Sequence, residues 1–120
     1  MLLVTQAELH LATAASIAGV DPDAAFALQY DAARKSLAAV LIATGLRVKS
    51  KGGHAGTYEA VRVSLPAEDR AVIRPFDRLR KRRHEVEQLT ESVPPATTTE
   101  VLHAIQQSQV IVNWARTRIS

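Results

Sequence analysis

The chain contains no cysteine. That excludes disulfides, thiolate catalysis and the usual structural zinc sites, which draw on cysteine ligands. Aromatic residues make up only 4% of the 120 residues, and glycine and proline number five each. Strands lean on aromatic and β-branched side chains and their turns on glycine and proline, so the shortage argues for helices. No apolar run approaches the roughly 20 residues of a membrane-spanning helix. Polar Thr5, Gln6, Glu8 and His10 interrupt the apolar residues near the amino terminus, and no basic leader precedes them, so no signal peptide is expected. The expectation is a soluble cytoplasmic protein without membrane association, folded as one domain over residues 1–120. There is no Gly-x-Gly-x-x-Gly and no P-loop, and no local signature of a serine triad.

Alanine, valine, leucine and isoleucine supply nearly all of a 47% hydrophobic fraction, and their spacing predicts five helices. Thr5 and Glu8 read as a capping box for a first helix reaching about Ala18, with Gly19 as its stop. Asp21 as N-cap and Pro22 at the first helical position open the second. It carries Phe26, Tyr30, Ala33, Leu37, Val40 and Leu41 and ends near Leu46, long enough to be the spine of a bundle. A basic turn, Arg47 to Gly53, precedes a short third helix from about His54 to Val63. Pro66, Glu68 and Asp69 open the fourth helix, Val93-Pro94-Pro95-Ala96 is a stiff connector, and Thr97 with Glu100 caps the last. That last helix places Val101, Ile105, Ser108, Val112, Ala115 and Ile119 on one stripe. Short loops between amphipathic helices favour an antiparallel, up-and-down bundle. Its core should hold Phe26, Tyr30, Leu37, Leu41, Phe76, Ile105 and Val112.

The net charge of +3 matters less than its placement. From Arg70 to Arg83 seven cations, Arg70, Arg74, Arg78, Arg80, Lys81, Arg82 and Arg83, stand against a single acid, Asp77. Lys49 and Lys51 add to a smaller cluster with Arg47. Such clusters attract polyanions, nucleic acid foremost, although an acidic protein would satisfy the same electrostatics. Val72, Phe76, Leu79, Val86 and Leu89 fall on one helical face, and Arg83 falls on that face too. A guanidinium cannot shed its proton, so an inward arginine needs a carboxylate, backbone carbonyls or a ligand phosphate, unless it snorkels out of a thin stripe.

Metal chemistry has little support. His10, His54, His84 and His103 are scattered, and Glu100 with His103 is an isolated pair at helical spacing. Arginine and histidine on one basic helix do suit metal-free RNA cleavage. There the neighbouring 2′-hydroxyl attacks phosphorus, histidine (reference pKa about 6.5) moves a proton, and arginine stabilises the phosphoryl charge. Arg80 and His84, four apart, can address one ligand. The pairing permits this reaction without being diagnostic of it.

The segments Tyr30-Asp31-Ala32-Ala33-Arg34-Lys35-Ser36-Leu37-Ala38-Ala39-Val40-Leu41, Lys51-Gly52-Gly53-His54 with Tyr58-Glu59-Ala60, and Leu79 to Gln88 stand in the order of a known family. Over most of its length the chain resembles the HEPN superfamily of small all-α domains, and within it a subgroup of short single-domain members, often actinobacterial. The resemblance implies a HEPN-like bundle of four to five helices, occurring in prokaryotic toxins, defence systems and RNA-processing enzymes. Active members carry an arginine followed, after four to six residues, by histidine, often with a polar residue beside the arginine. One register places Arg78 and His84 at these positions, with Leu79 in the polar place. The other places Arg83 at the arginine, His84 as its polar neighbour and Gln88 where the histidine would stand. The inward phase of Arg83 favours the second, although Gln88 cannot shuttle a proton at neutral pH.

Arg83, His84 and Arg78 are thus the candidate catalytic residues, and Arg74, Arg78, Arg80, Lys81, Arg82, Lys49 and Lys51 the candidate nucleic-acid contacts. No metal or cofactor is called for. The expected function is RNA binding, with metal-independent endoribonuclease activity in a toxin or defence setting as its sharper form. The competing class is a non-catalytic module binding a partner protein or nucleotide through the basic helix. A homodimer pairing two copies of that helix is expected, with an antitoxin or other protein as a further partner.

Overall fold

Asp21 and Pro22 do set the start of a long helix. The Asp21 carboxylate accepts a hydrogen bond from the Ala24 backbone N–H at 3.1 Å, and Pro22 occupies a first-turn position where its missing N–H costs nothing. The computed structural model describes residues 2–44, 53–88 and 92–119, leaving aside the side chains of 53–55 and 57. Among these residues there are six helices and no strand: α1 Leu2–Ile17, α2 Pro22–Ala43, α3 Gly53–Ser64, α4 Ala67–Ile73, α5 Pro75–Glu87 and α6 Thr98–Ile119. The described fold is thus all-α. Arg47, Lys49, Lys51 and Leu89 lie outside the described residues.

Two helix starts differ from expectation. Helix α1 begins at Leu2, because Val4 is buried and extends the helix towards the amino terminus, so Thr5 and Glu8 lie within it. Glu8 instead forms an ion pair with Arg116 on α6. The expected fourth helix is two helices, α4 and α5, divided at Arg74 by Pro75. Proline lacks the N–H that would bond one turn back and clashes with that turn's carbonyl, so it begins a new helix. At the last helix the Thr97 hydroxyl accepts the Glu100 N–H at 3.1 Å, as the capping signature requires.

Helix α2 is the spine, in contact with α1, α3, α5 and α6. Its buried stripe Ala25, Gln29, Ala32, Ser36 and Ala39 is small. On it the Ser108 hydroxyl of α6 donates to Gln29 Oε1 at 2.6 Å, while Gln29 Nε2 donates to the Phe26 carbonyl at 2.9 Å. A buried amide is thereby satisfied on both ends. The neighbouring stripe carries the large residues Phe26, Tyr30, Leu37 and Leu41, all buried. Of the other expected core residues Phe76 and Val112 are fully buried, and Ile105 packs against the core half-buried.

Contacts fix the directions of the helices. His10 meets Lys35 across the short α1–α2 turn, so these helices are antiparallel. Thr98 bonds the Ala18 carbonyl and Arg116 pairs with Glu8, so α6 also runs against α1. Asp23 accepts the Ala96 N–H and Gln29 meets Ser108, so α6 runs with α2. Helix α5 is held to α2 and α3 by stacked rings: Phe76 lies 5.2 Å from Tyr30 and 5.8 Å from Tyr58. Asp69 on α4, largely buried, pairs with Arg118 near the end of α6.

Candidate functional site

Helix α5 presents different chemistry on each side. Phe76, Leu79 and Val86 point into the core, and Arg83 shares their face. Its guanidinium carbon stands 5.3 Å from the centroid of the Tyr30 ring, a cation–π contact, and its Nη2 pairs with Glu87 at 2.9 Å. The Arg83 Nε is buried with no hydrogen-bond partner among the described residues. Burial pushes the Tyr30 phenol up to about 12, with Arg83 the largest of three arginines opposing that shift. The arginine therefore rests on a neutral ring.

His84 lies one step round the helix, exposed, and is joined to Gln88 by a 3.0 Å hydrogen bond. The two residues that compete for the histidine position of the motif thus touch each other. Arg78 is on another side. With Phe26, Leu79, Arg82, Glu100, His103 and Gln107 it lines a groove of about 170 Å³ between α5 and α6. Neither Arg83 nor His84 lines this groove with Arg78.

Most of the basic run is internally matched. Arg80 bonds Asp77 at 3.0 and 3.2 Å, and Lys81 reaches the same carboxylate at 3.1 Å. These hydrogen bonds, from Arg80 first, hold the Asp77 carboxyl below the usual carboxylate range. Arg82 grips Glu100 through two nitrogens, donates to the Pro94 carbonyl at 3.0 Å and meets Glu85 at 3.2 Å. Arg82 is thus a brace across the α5–α6 connector, and its hydrogen bonds hold Glu100 well down.

Three cations of the run escape this matching. Arg70, Arg74 and Arg78 recur every four residues, all are exposed, and none has a carboxylate partner among the described residues. Arg70 and Arg74 also line a cavity of about 340 Å³ with Tyr58, Arg62 and Ala67. Neither Arg62 nor Tyr58 stands out in the sequence as a binding residue, and no sequence spacing brings His103 towards Arg78. Arg62 and His103 are single polar residues on other helices, so only the folded arrangement joins them to the basic run.

Glu100 is committed to Arg82, and no group of three or more potential metal ligands gathers among the described residues. Nor is any helix of the described residues long and apolar enough to cross a membrane. A scan against protein-family models, a search of curated proteins and a search of solved structures each found no match.

Proposed function

We propose that this chain is an RNA-binding protein of HEPN type, acting as a homodimer, with metal-independent RNA cleavage as the activity its motif region would serve. The observation that carries the reading is the exposed series Arg70, Arg74 and Arg78, without carboxylate partners among the described residues, leading along α4 into α5. Repeated guanidiniums along one side of a helix suit successive phosphates of a strand, and unpaired ones can take phosphate without first giving up a carboxylate. Further along α5, on another side, Arg83 is oriented by the Tyr30 ring, and His84 is exposed. Exposed Leu2 and Leu9 on α1, and Leu102 and Val110 on α6, offer apolar area for self-association, whereas α2 is largely enclosed within the protomer.

Titration of a fluorescent single-stranded oligoribonucleotide at increasing salt tests the reading. Affinity falls with a log–log slope of about −0.7 per phosphate contact, and Arg74→Glu with Arg78→Glu weakens binding to all sequences alike. Arg82→Glu is a poor probe, since it also breaks the brace to Glu100. A second reading draws support from the internal pairing of Arg80 to Arg83, which leaves that stretch less cationic than its sequence. In that reading the helix is a docking surface for an acidic protein, antitoxin included. Tight, salt-insensitive binding to such a protein with none to RNA selects it.

A further inference from the structure

The cavity between α3 and α4 has a chemistry of its own. Arg62, Arg70 and Arg74 line one space of about 340 Å³, with Tyr58 and Ala67 completing the wall. The Arg62 side chain pairs with Glu59 at 3.0 Å, and that bond raises the arginine's pKa. Arg70 and Arg74 have no carboxylate partner among the described residues. Asp69, the acid next to Arg70, is turned to Arg118 on α6. The cavity therefore gathers three guanidiniums, two of them without a carboxylate partner among the described residues, and such a concentration of positive charge attracts an anion. Tyr58 stacks on Phe76, so its ring fixes the inner wall.

Planar guanidiniums with several N–H donors can grip a phosphate through two oxygens at once, a geometry that chloride does not offer. The volume lies at the small end for ligand pockets, room for a phosphoryl group and part of what bears it. A phosphodiester inside a strand carries one negative charge, whereas a terminal phosphate carries about −1.5 to −2 at neutral pH. A cluster of arginines on two helices favours the more highly charged group.

We infer that this cavity is a binding site for a terminal phosphate, supplied by the 5′-phosphorylated end of an RNA strand or by a free nucleotide. It deepens the RNA-binding reading in its first form and stands without it in the second. The site lies on α3 and α4, away from Arg83 and His84 on α5.

The test compares one oligoribonucleotide with a 5′-phosphate and with a 5′-hydroxyl, and separately adenosine diphosphate, on the intact protein. For the strand end, the phosphorylated RNA binds about tenfold tighter, and Arg70→Gln with Arg74→Gln removes that preference. For the free nucleotide, adenosine diphosphate at saturation raises the melting temperature by about 4 °C, and the same double variant abolishes the rise. Glu59→Gln, which releases Arg62 from its partner, tightens whichever ligand binds, an effect that damage to the fold does not produce. If both RNAs bind alike and the nucleotide gives no shift, the site is not a phosphate pocket, although the RNA-binding reading survives. If neither RNA binds but the nucleotide shift appears and depends on Arg70 and Arg74, the pocket stands and the RNA-binding reading falls.

Discussion

Arg82 on α5 holds Glu100 on α6 with hydrogen bonds of 2.6 and 3.1 Å, closing the chain across its proline-containing connector. The same guanidinium takes the Pro94 carbonyl, while Asp23 takes the Ala96 N–H at 2.8 Å, so the connector is tied from both sides. Glu100 remains about one-third exposed, with 34% of its side chain accessible, so solvent screens the pair. A double-mutant cycle with Arg82→Met and Glu100→Gln should return a coupling of about 1 kcal/mol. The Glu100 carboxyl is held below its unfolded value, so its contribution is complete above about pH 4.3 and is lost as pH falls through the folded pKa. Urea unfolding at stepped pH measures it, and Glu100→Gln should flatten the acid limb.

Arg83 separates stability from function. Its Nε is buried without a partner among the described residues, while the cation–π contact and the Glu87 pair offset part of that penalty. Arg83→Met keeps an apolar stem over Tyr30 and removes the buried donor. The variant should unfold within about 1 kcal/mol of wild type, or be more stable, because replacing a poorly satisfied buried cation is often neutral or favourable. RNA binding or cleavage should weaken in the same protein if the guanidinium serves a ligand. A large loss of stability would make Arg83 a structural residue instead.

His10 provides a mild acid sensitivity between α1 and α2. Its ring nitrogen meets the Lys35 ammonium at 2.7 Å, and burial, followed by Lys35, lowers its pKa. Asp31 on the same face opposes that shift, and Arg34 reinforces it. The unfolded chain therefore binds the proton more readily. His10 contributes stability that is complete above about pH 6.5 and declines as pH falls towards the folded pKa. His10→Gln should remove this part of the pH dependence in thermal unfolding and leave the slope near pH 4 in place.

The helices and their caps were legible because local chemistry sets them. Asp21-Pro22 and Thr97 act as caps in the positions their types imply. The break at Pro75 does not show in the apolar stripe, which runs from Val72 by way of Phe76 to Leu79, because periodicity does not register a missing N–H. The inward phase of Arg83 was legible for the same periodic reason that places Phe76 and Leu79. Its partner Tyr30, on another helix, was not. Likewise the density of arginine in the sequence overstated the free charge on α5, since Glu100 comes from a distant segment and Asp77 serves both Arg80 and Lys81. The expected dimer rests on apolar breadth in the second and last helices; much of that of α2 is covered within the fold, whereas Leu102 and Val110 on α6 are exposed.

Core substitutions should rank by enclosure. Leu37 is fully buried on α2, so Leu37→Ala removes contacts and leaves a cavity, for about 2–5 kcal/mol. Ile105 is half-buried at the edge of the core, so Ile105→Ala should fall below that range. Chemical denaturation of the two variants measures the difference. Equal losses would mean that Ile105 is covered in solution, as a dimer through α6 would require, and sedimentation of both proteins would then distinguish the cases.

Cleavage is the sharpest consequence of the proposed function. The reaction needs a group to stabilise charge on the phosphoryl oxygens and a titratable group to move the 2′-hydroxyl proton. Arg83 can supply the first, and His84, the one histidine of α5, the second, since its neighbour Gln88 has no proton to exchange at neutral pH. Activity should then persist in EDTA, leave a 2′,3′-cyclic phosphate, and fall about 10²–10⁴-fold in His84→Ala. Gln88→Ala frees the imidazole and should change the rate without abolishing it. His103, beside Arg78 in the α5–α6 groove, is the competing proton carrier. Full activity in His84→Ala together with loss in His103→Ala would move the reaction to that groove, with Arg78 in place of Arg83. No cleavage by wild type, alongside salt-dependent RNA binding, would make this a binding protein built on the same helices.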